Sequence, residues 1–141
     1  MILADIDNHM GPVFEQVCRD WAGRYSTDPP LAEAHDIGAY WTRTHDVEVD
    51  LVARGRQGIL AVGSCKWSSR ADVHDLDRLI ELRGRIRGAG AAALYVFARD
   101  FHHNLTERAK RDGVRLVSAA ERRRLPARGV ADGEPSAGGV R

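Results

Sequence analysis

Between Asp46 and Trp67 the chain reads DVEVDLVARGRQGILAVGSCKW, and the residues best able to do chemistry sit here at regular spacing. Glu48 and Asp50 are two apart, and so are Ser64 and Lys66. Side chains alternate along an extended chain, so each pair shares one face of its strand. The run Glu48 to Val52 alternates polar and apolar before turning wholly apolar. Arg54-Gly55-Arg56-Gln57-Gly58 is a polar, glycine-flanked turn, and Ile59 to Val62 resumes an apolar strand. This is the pattern of a β-hairpin. A hairpin sets the two faces side by side and brings carboxylates and an ammonium group together. Such a convergence is a site, or what is left of one.

An acid, a hairpin turn and an apolar strand ending in Cys65-Lys66-Trp67 resemble the core of the PD-(D/E)xK nuclease superfamily, the restriction-endonuclease-like fold. More narrowly, EVDLVA followed by VGSCKW is similar to the domain of unknown function at the C-terminus of archaeal-type P-loop ATPases. The likeness spans roughly residues 10 to 125. It implies phosphodiester hydrolysis on DNA with Mg²⁺ or Mn²⁺ held by carboxylates. The cation polarises the phosphate and lowers the pKa of an attacking water, while a lysine positions that water or stabilises developing charge. Carried onto this chain, the resemblance makes Asp50 the central metal ligand and the carbonyl of Cys65 a further one. Lys66 becomes the water-positioning lysine, and Glu15, on the first helix, a helper. Mg²⁺ takes oxygen ligands and keeps several waters, so one or two carboxylates plus a carbonyl can hold it.

Ser64 departs from the pattern, because relatives carry a glutamate there. A neutral hydroxyl is a poor substitute for a carboxylate on Mg²⁺, so weak metal binding is expected. Glu48 is the acid in sequence that could compensate as a ligand and catalytic group. Its plainer reading is a solvent-facing acid or an ion-pair partner for Lys66. Three functions therefore stand side by side: a metal-dependent endonuclease, a degenerate nucleic-acid-binding domain, and an accessory or regulatory domain of an ATPase.

Composition sets the frame. The 141 residues are 43% hydrophobic and 29% charged, as in an ordinary globular domain. No apolar run approaches the ~20 residues of a membrane span, and the N-terminus lacks a signal-peptide pattern. Cys18 and Cys65 lack metal-ligand spacing, and the six histidines form no HxH or HExxH motif. A cytoplasmic chain with reduced thiols and no zinc is expected. With no GxxxxGK[ST], no nucleotide is expected to bind, and an ATPase partner would lie on a longer parent chain or on a separate protein. Residues 1–82 hold 8 Lys/Arg against 14 Asp/Glu, a balance of −6, whereas residues 83–128 hold 12 against 4, a balance of +8. That asymmetry fits either an acidic metal site beside a DNA-facing region or simply solvated helix faces.

The elements that must position these residues follow from periodicity. Residues 1–9 form a lead-in without assignment, and Gly11-Pro12 starts a helix with proline at its first position. Val13, Phe14, Val17, Cys18 and Trp21 cover one arc of it, with Glu15 at the edge. Residues 23–35 read as a loop. A short strand follows over Ile37 to Thr42, in which Trp41 is expected to pack in the core or at the sheet edge rather than stack on a base. After the hairpin, Ser69 or Asp72 caps a helix marked by Val73, Leu76, Leu79, Ile80 and Ile86 and closed by Gly88. Ala91 to Ala98 is a buried strand. Asp100 caps a helix ending at Gly113, Val114 to Val117 is a short strand, and Ser118-Ala119-Ala120-Glu121 has capping-box spacing. The domain closes near residue 125, and 126–141, rich in Gly, Ala and Pro, forms a disordered tail. The fold class is α/β, a mixed sheet flanked by helices; the resemblance narrows it to helix, three strands, helix, strand, with an added helix and short strand.

Overall fold

The structure, a computed structural model, describes residues 2–118 apart from positions 25, 28 and 68. The last helical turn after Ser118 and the tail over 126–141 lie outside the described residues. The elements are α1 (Ile2–Arg24), α2 (Pro29–Ala32), β1 (Asp36–Trp41), β2 (Glu48–Gly55), β3 (Gly58–Lys66), α3 (Val73–Gly84), β4 (Ala93–Ala98), α4 (His103–Asp112) and β5 (Arg115–Ser118). The five strands lie in chain order in one sheet. β1–β2 and β2–β3 are antiparallel, whereas β3–β4 and β4–β5 are parallel. Antiparallel neighbours need only tight turns, but each parallel pair needs a crossover, and α3 and α4 supply them. The mixed α/β class and the helix–three strands–helix–strand order are as expected.

Alternation on the central strands divides the interior into two layers. Phe14, Cys18 and Trp21 of α1 pack on Leu51, Ala53, Ala61, Tyr95 and Phe97. On the opposite face Leu76, Leu79 and Leu82 of α3 and Leu105 and Ala109 of α4 pack on Val52, Val62 and Val96. β4 therefore feeds both layers, which is why its sequence is apolar throughout.

Several boundaries differ from expectation, each for a local reason. α1 begins at Ile2 rather than at Pro12, so Pro12 lies inside the helix. The apolar spacing Leu3, Ile6, Met10 continues the helical period upstream and outweighs the proline signal. The 23–35 segment contains the short α2, which buries Leu31. β1 begins and ends one residue earlier than expected, and Trp41 is 60% exposed on this edge strand rather than packed. Asp72 is the cap of α3; its carboxylate accepts the N–H groups of His74 and Asp75, and Asp75 accepts the N–H of Asp72 in return. That helix stops at Gly84, the weakest helix former in the run, and Ile86 reaches the core from the following turn. His102, not Asp100, caps α4, because the Asp100 carboxylate accepts from Arg70 and from the N–H of Phe101. Gly113 closes that helix in the left-handed conformation at φ 73°. Among the described residues no helix is long and apolar enough to cross a membrane.

Gly63 lies where β2, β3 and β4 press together. A Cβ there would stand 3.3 Å from Leu51 Cβ and 3.3 Å from Phe97 Cε1. Leu51 Cβ is fixed to backbone and cannot rotate away, so Gly63→Ala overpacks the sheet beside the site. We expect a loss of about 1–3 kcal/mol, measured as a lower urea midpoint at unchanged m-value.

Candidate active site

The β2–β3 ladder runs from Gly55↔Gly58 to Leu51↔Gly63 and ends there. Beyond it the Asp50 carboxylate, instead of the backbone, meets β3: Oδ2 accepts the N–H of Cys65 at 2.8 Å. The other edge of β2 is irregular at the same place. Gly38 of β1 faces Val52 and Tyr40 faces Val49, so β2 carries one extra residue between them. This bulge at Asp50-Leu51 lets Val49 and Val52 enter one core layer while Leu51 enters the other. Bulges re-aim side chains in this way. Arg19 of α1 pins it, Nη1 donating to the Asp50 carbonyl at 2.9 Å.

Glu15 and Arg19 from α1, Tyr40 and Trp41 from β1, His45 from the following turn, and Glu48 and Asp50 from β2 line a cleft of about 380 Å³. Burial raises the carboxyl pKa of Asp50 most; the Cys65 N–H and Arg19 oppose this, and Glu48 adds to it. Glu15 is raised likewise, first by burial and then by Asp50, with Arg19 opposing. Asp50 and Glu15 thus share one electrostatic neighbourhood at the expense of their charged forms, and the Glu48 carboxylate adds to the effect on both.

Ser64 and Lys66 share a face, as their spacing requires, and it is the face toward α3. Ser64 lines a smaller cleft of about 70 Å³ together with Glu48, Asp50 and Asp75. Lys66 turns to the helix: its Nζ lies 3.0 Å from Asp75 Oδ1. The partner of Glu48 is His45, whose Nδ1 lies 3.1 Å from Oε2; of the two plainer readings of Glu48, the solvent-facing acid holds and the ion pair with Lys66 does not, because Lys66 pairs with Asp75. The structure therefore gathers Glu15, Glu48 and Asp50 in one cleft and sets Ser64 beside Asp50 in the other. It holds Lys66 by Asp75.

Asp75 and Arg19 are the site residues that reading along the chain misses. Asp75 had a legible signal in the Asp72-x-x-Asp75 cap spacing, but that signal does not reveal that its second oxygen faces Lys66. Nothing in the sequence marks Arg19, which acts across 31 residues. The partly buried Cys65 thiol is pushed well above its ordinary pKa, first by its hydrogen bond with Cys18 and then by desolvation, and stays a protonated packing group, not a nucleophile.

Of the basic excess after residue 82, much of the described part is engaged locally. Arg85 pairs with Asp46, Arg108 with Asp77 and Asp112, and Lys110 with Glu107. Arg99 lies over the Trp67 ring at 4.6 Å.

Among the described residues no three His, Cys, Asp or Glu side chains stand close enough together to form a closed metal site. The donors do suit a hard divalent cation that keeps most of its own waters. Asp50 accepts the Cys65 N–H at Oδ2, and it, Glu15 and Glu48 repel one another in a way that a cation would relieve.

A family model for archaeal and bacterial proteins of unknown function, DUF234, matches residues 1–76, just over half of the chain and the part that contains the whole cleft. No curated protein matches. Among solved structures, a repair endonuclease from Pyrococcus abyssi is 13% identical with a TM-score of 0.40, covering 65% of this chain and 41% of that one. EndoMS in apo form is 10% identical with a TM-score of 0.40, covering 64% and 41%. EndoMS in complex with double-stranded DNA is 13% identical with a TM-score of 0.39, covering 63% and 38%. The chain thus spans about two-fifths of the length of these proteins.

Proposed function

We infer that this chain, which belongs to the DUF234 family of archaeal and bacterial proteins of unknown function, is a nuclease-like domain that acts on DNA phosphodiesters through Asp50. The observation that carries the reading is the end of the β2–β3 ladder, where the Asp50 carboxylate bonds the N–H of Cys65, the residue before Lys66. Acid and lysine, far apart in sequence, are thereby tied into one frame.

In this reading Asp50, Glu48 and the carbonyl of Cys65 would hold Mg²⁺ or Mn²⁺. When bound, the cation supplies Lewis acidity to the phosphate and lowers the pKa of an attacking water. Asp50, fixed by Cys65 and with its backbone held by Arg19, needs no reorganisation to serve as an anchor. Lys66 orients the water and balances charge on the phosphoryl oxygens; Asp75 holds its ammonium at the edge of the site in the resting protein. Glu15, whose carboxyl pKa is raised by burial and by Asp50, is the group best suited to exchange a proton. The test is nicking of supercoiled plasmid with Mg²⁺ or Mn²⁺, set against the same reaction in EDTA and with Lys66→Ala. Nicking unaffected by EDTA and by the substitution would end this reading.

A second reading is favoured by Ser64 itself and by the pairing of Lys66 with Asp75 and of Glu48 with His45. With both groups engaged, the domain binds nucleic acid, or regulates a P-loop ATPase on a parent chain or separate protein in the cytoplasm, without cutting. It predicts DNA binding that falls steeply with salt and no nicking with either metal.

A further inference from the structure

We propose that Trp41 is a stacking platform for an unpaired nucleobase, so that the cleft takes single-stranded or locally unpaired DNA. The proposal deepens the nuclease reading above by naming its substrate class, and rests on that reading for the identity of the polymer.

Trp41 is 60% exposed at the end of the edge strand β1 and lines the same cleft as Glu15 and Asp50. It pairs in register with Glu48, two residues from Asp50, so a base on its ring lies roughly 7 Å along the strand direction from the central acid. A neighbouring phosphate would then fall beside Asp50.

The ring is presented, not merely left out. His45 lies near-parallel to it, with an interplanar angle of 6° and centroids 6.5 Å apart. A built turn holds that histidine. Thr42 and Thr44 each donate a hydroxyl to Asp46 at 2.7 Å, which keeps the Asp46 carboxyl at a pKa of about 2. Glu48 engages His45 Nδ1 at 3.1 Å. His45 itself adopts the left-handed conformation at φ 61°, which crowds the Cβ of a non-glycine residue. A strained residue that sets an aromatic ring parallel to an exposed tryptophan beside the acids is an arrangement with a use.

The surroundings favour a base over a protein. Among residues 11–118, whose exposure is described apart from positions 25, 28 and 68, Trp41 and Val13 are the exposed large hydrophobic residues, so within that range Trp41 is a lone ring rather than part of the broad apolar patch that a protein interface presents. Arg19 lines the same cleft, and every base offers a π-face to stack whatever its sequence.

The experiment measures binding of fluorescein-labelled oligo-dT at low salt in EDTA, so that cutting plays no part. Wild type is expected to bind it more tightly than a duplex of the same length, with quenching of tryptophan fluorescence. Trp41→Ala should weaken binding about tenfold or more, and Trp41→Phe should keep most of the affinity but lose the quench. Far-UV circular dichroism checks that both variants are folded. Equal binding by wild type and Trp41→Ala, preference for duplex, or no binding of oligo-dT would each overturn the platform. So would a wild-type dimer that becomes monomeric in Trp41→Ala with oligo-dT binding unchanged, which would make the ring a self-interface. Failure to nick plasmid alongside intact, Trp41-dependent oligo-dT binding would sink the hydrolytic reading and leave the platform standing.

Discussion

Asp50→Asn raises the melting temperature of the metal-free protein and removes its stabilisation by Mg²⁺. In the native state burial raises the Asp50 pKa above its unfolded value near 3.8, more than the Cys65 N–H and Arg19 lower it. Between the two values the native protein binds more protons than the unfolded chain, so stability falls as pH rises through that window. Above the native pKa the full deficit is present, and asparagine relieves it while its Oδ1 still accepts the Cys65 N–H. The gain at neutral pH is on the order of 3 °C per kcal/mol relieved. It should shrink as pH drops toward 3.8, where wild-type Asp50 is itself protonated. With Mg²⁺ the order reverses, because a ligand that binds only the native state stabilises wild type and finds no central carboxylate in the variant. Nicking disappears with it. Thermal melts at several pH values, with and without metal, read all of this. A variant less stable than wild type at neutral pH, or one stabilised by Mg²⁺ to the same degree, would show that Asp50 is structural.

Ser64→Glu is the change with the largest expected gain. Position 64 lines the smaller cleft with Asp50, Glu48 and Asp75, and lies on the same face of β3 as Lys66. A carboxylate there adds a fourth negative group, so the metal-free variant should melt below wild type. Mg²⁺ should more than restore it, with affinity rising at least about tenfold, or 1.4 kcal/mol. The new acid also competes with Asp75 for the Lys66 ammonium and draws it toward Asp50. Plasmid nicking should appear or increase, and should vanish when Asp50→Ala is added. Calorimetric Mg²⁺ titration and the nicking assay together decide it. Unchanged metal affinity would mean that position 64 is not part of the metal shell. Higher affinity without nicking would support the binding or regulatory reading.

How much of this was legible along the chain depends on the range of the interaction. Alternation in Glu48–Val52, the apolar run Ile59–Val62, the glycine-flanked turn between them and the apolar run into Ala98 determined the hairpin and the central strand, because strand faces are set by neighbours one and two residues away. The same parity determined that Ser64 and Lys66 share a face. What parity could not determine was which way each face turns relative to α1 and α3. A bulge of one residue at Asp50-Leu51, visible only against β1, decides where the central acid points. The partners of the site were also beyond reach: Arg19 to Asp50 joins elements that nothing local ties together, and the hairpin that joins β2 to β3 does not reveal that a carboxylate replaces the backbone where their ladder ends. Trp41 shows the limit most clearly. An aromatic residue on a strand is ordinarily packed, and it is the position of β1 at the sheet edge that leaves that ring in the open.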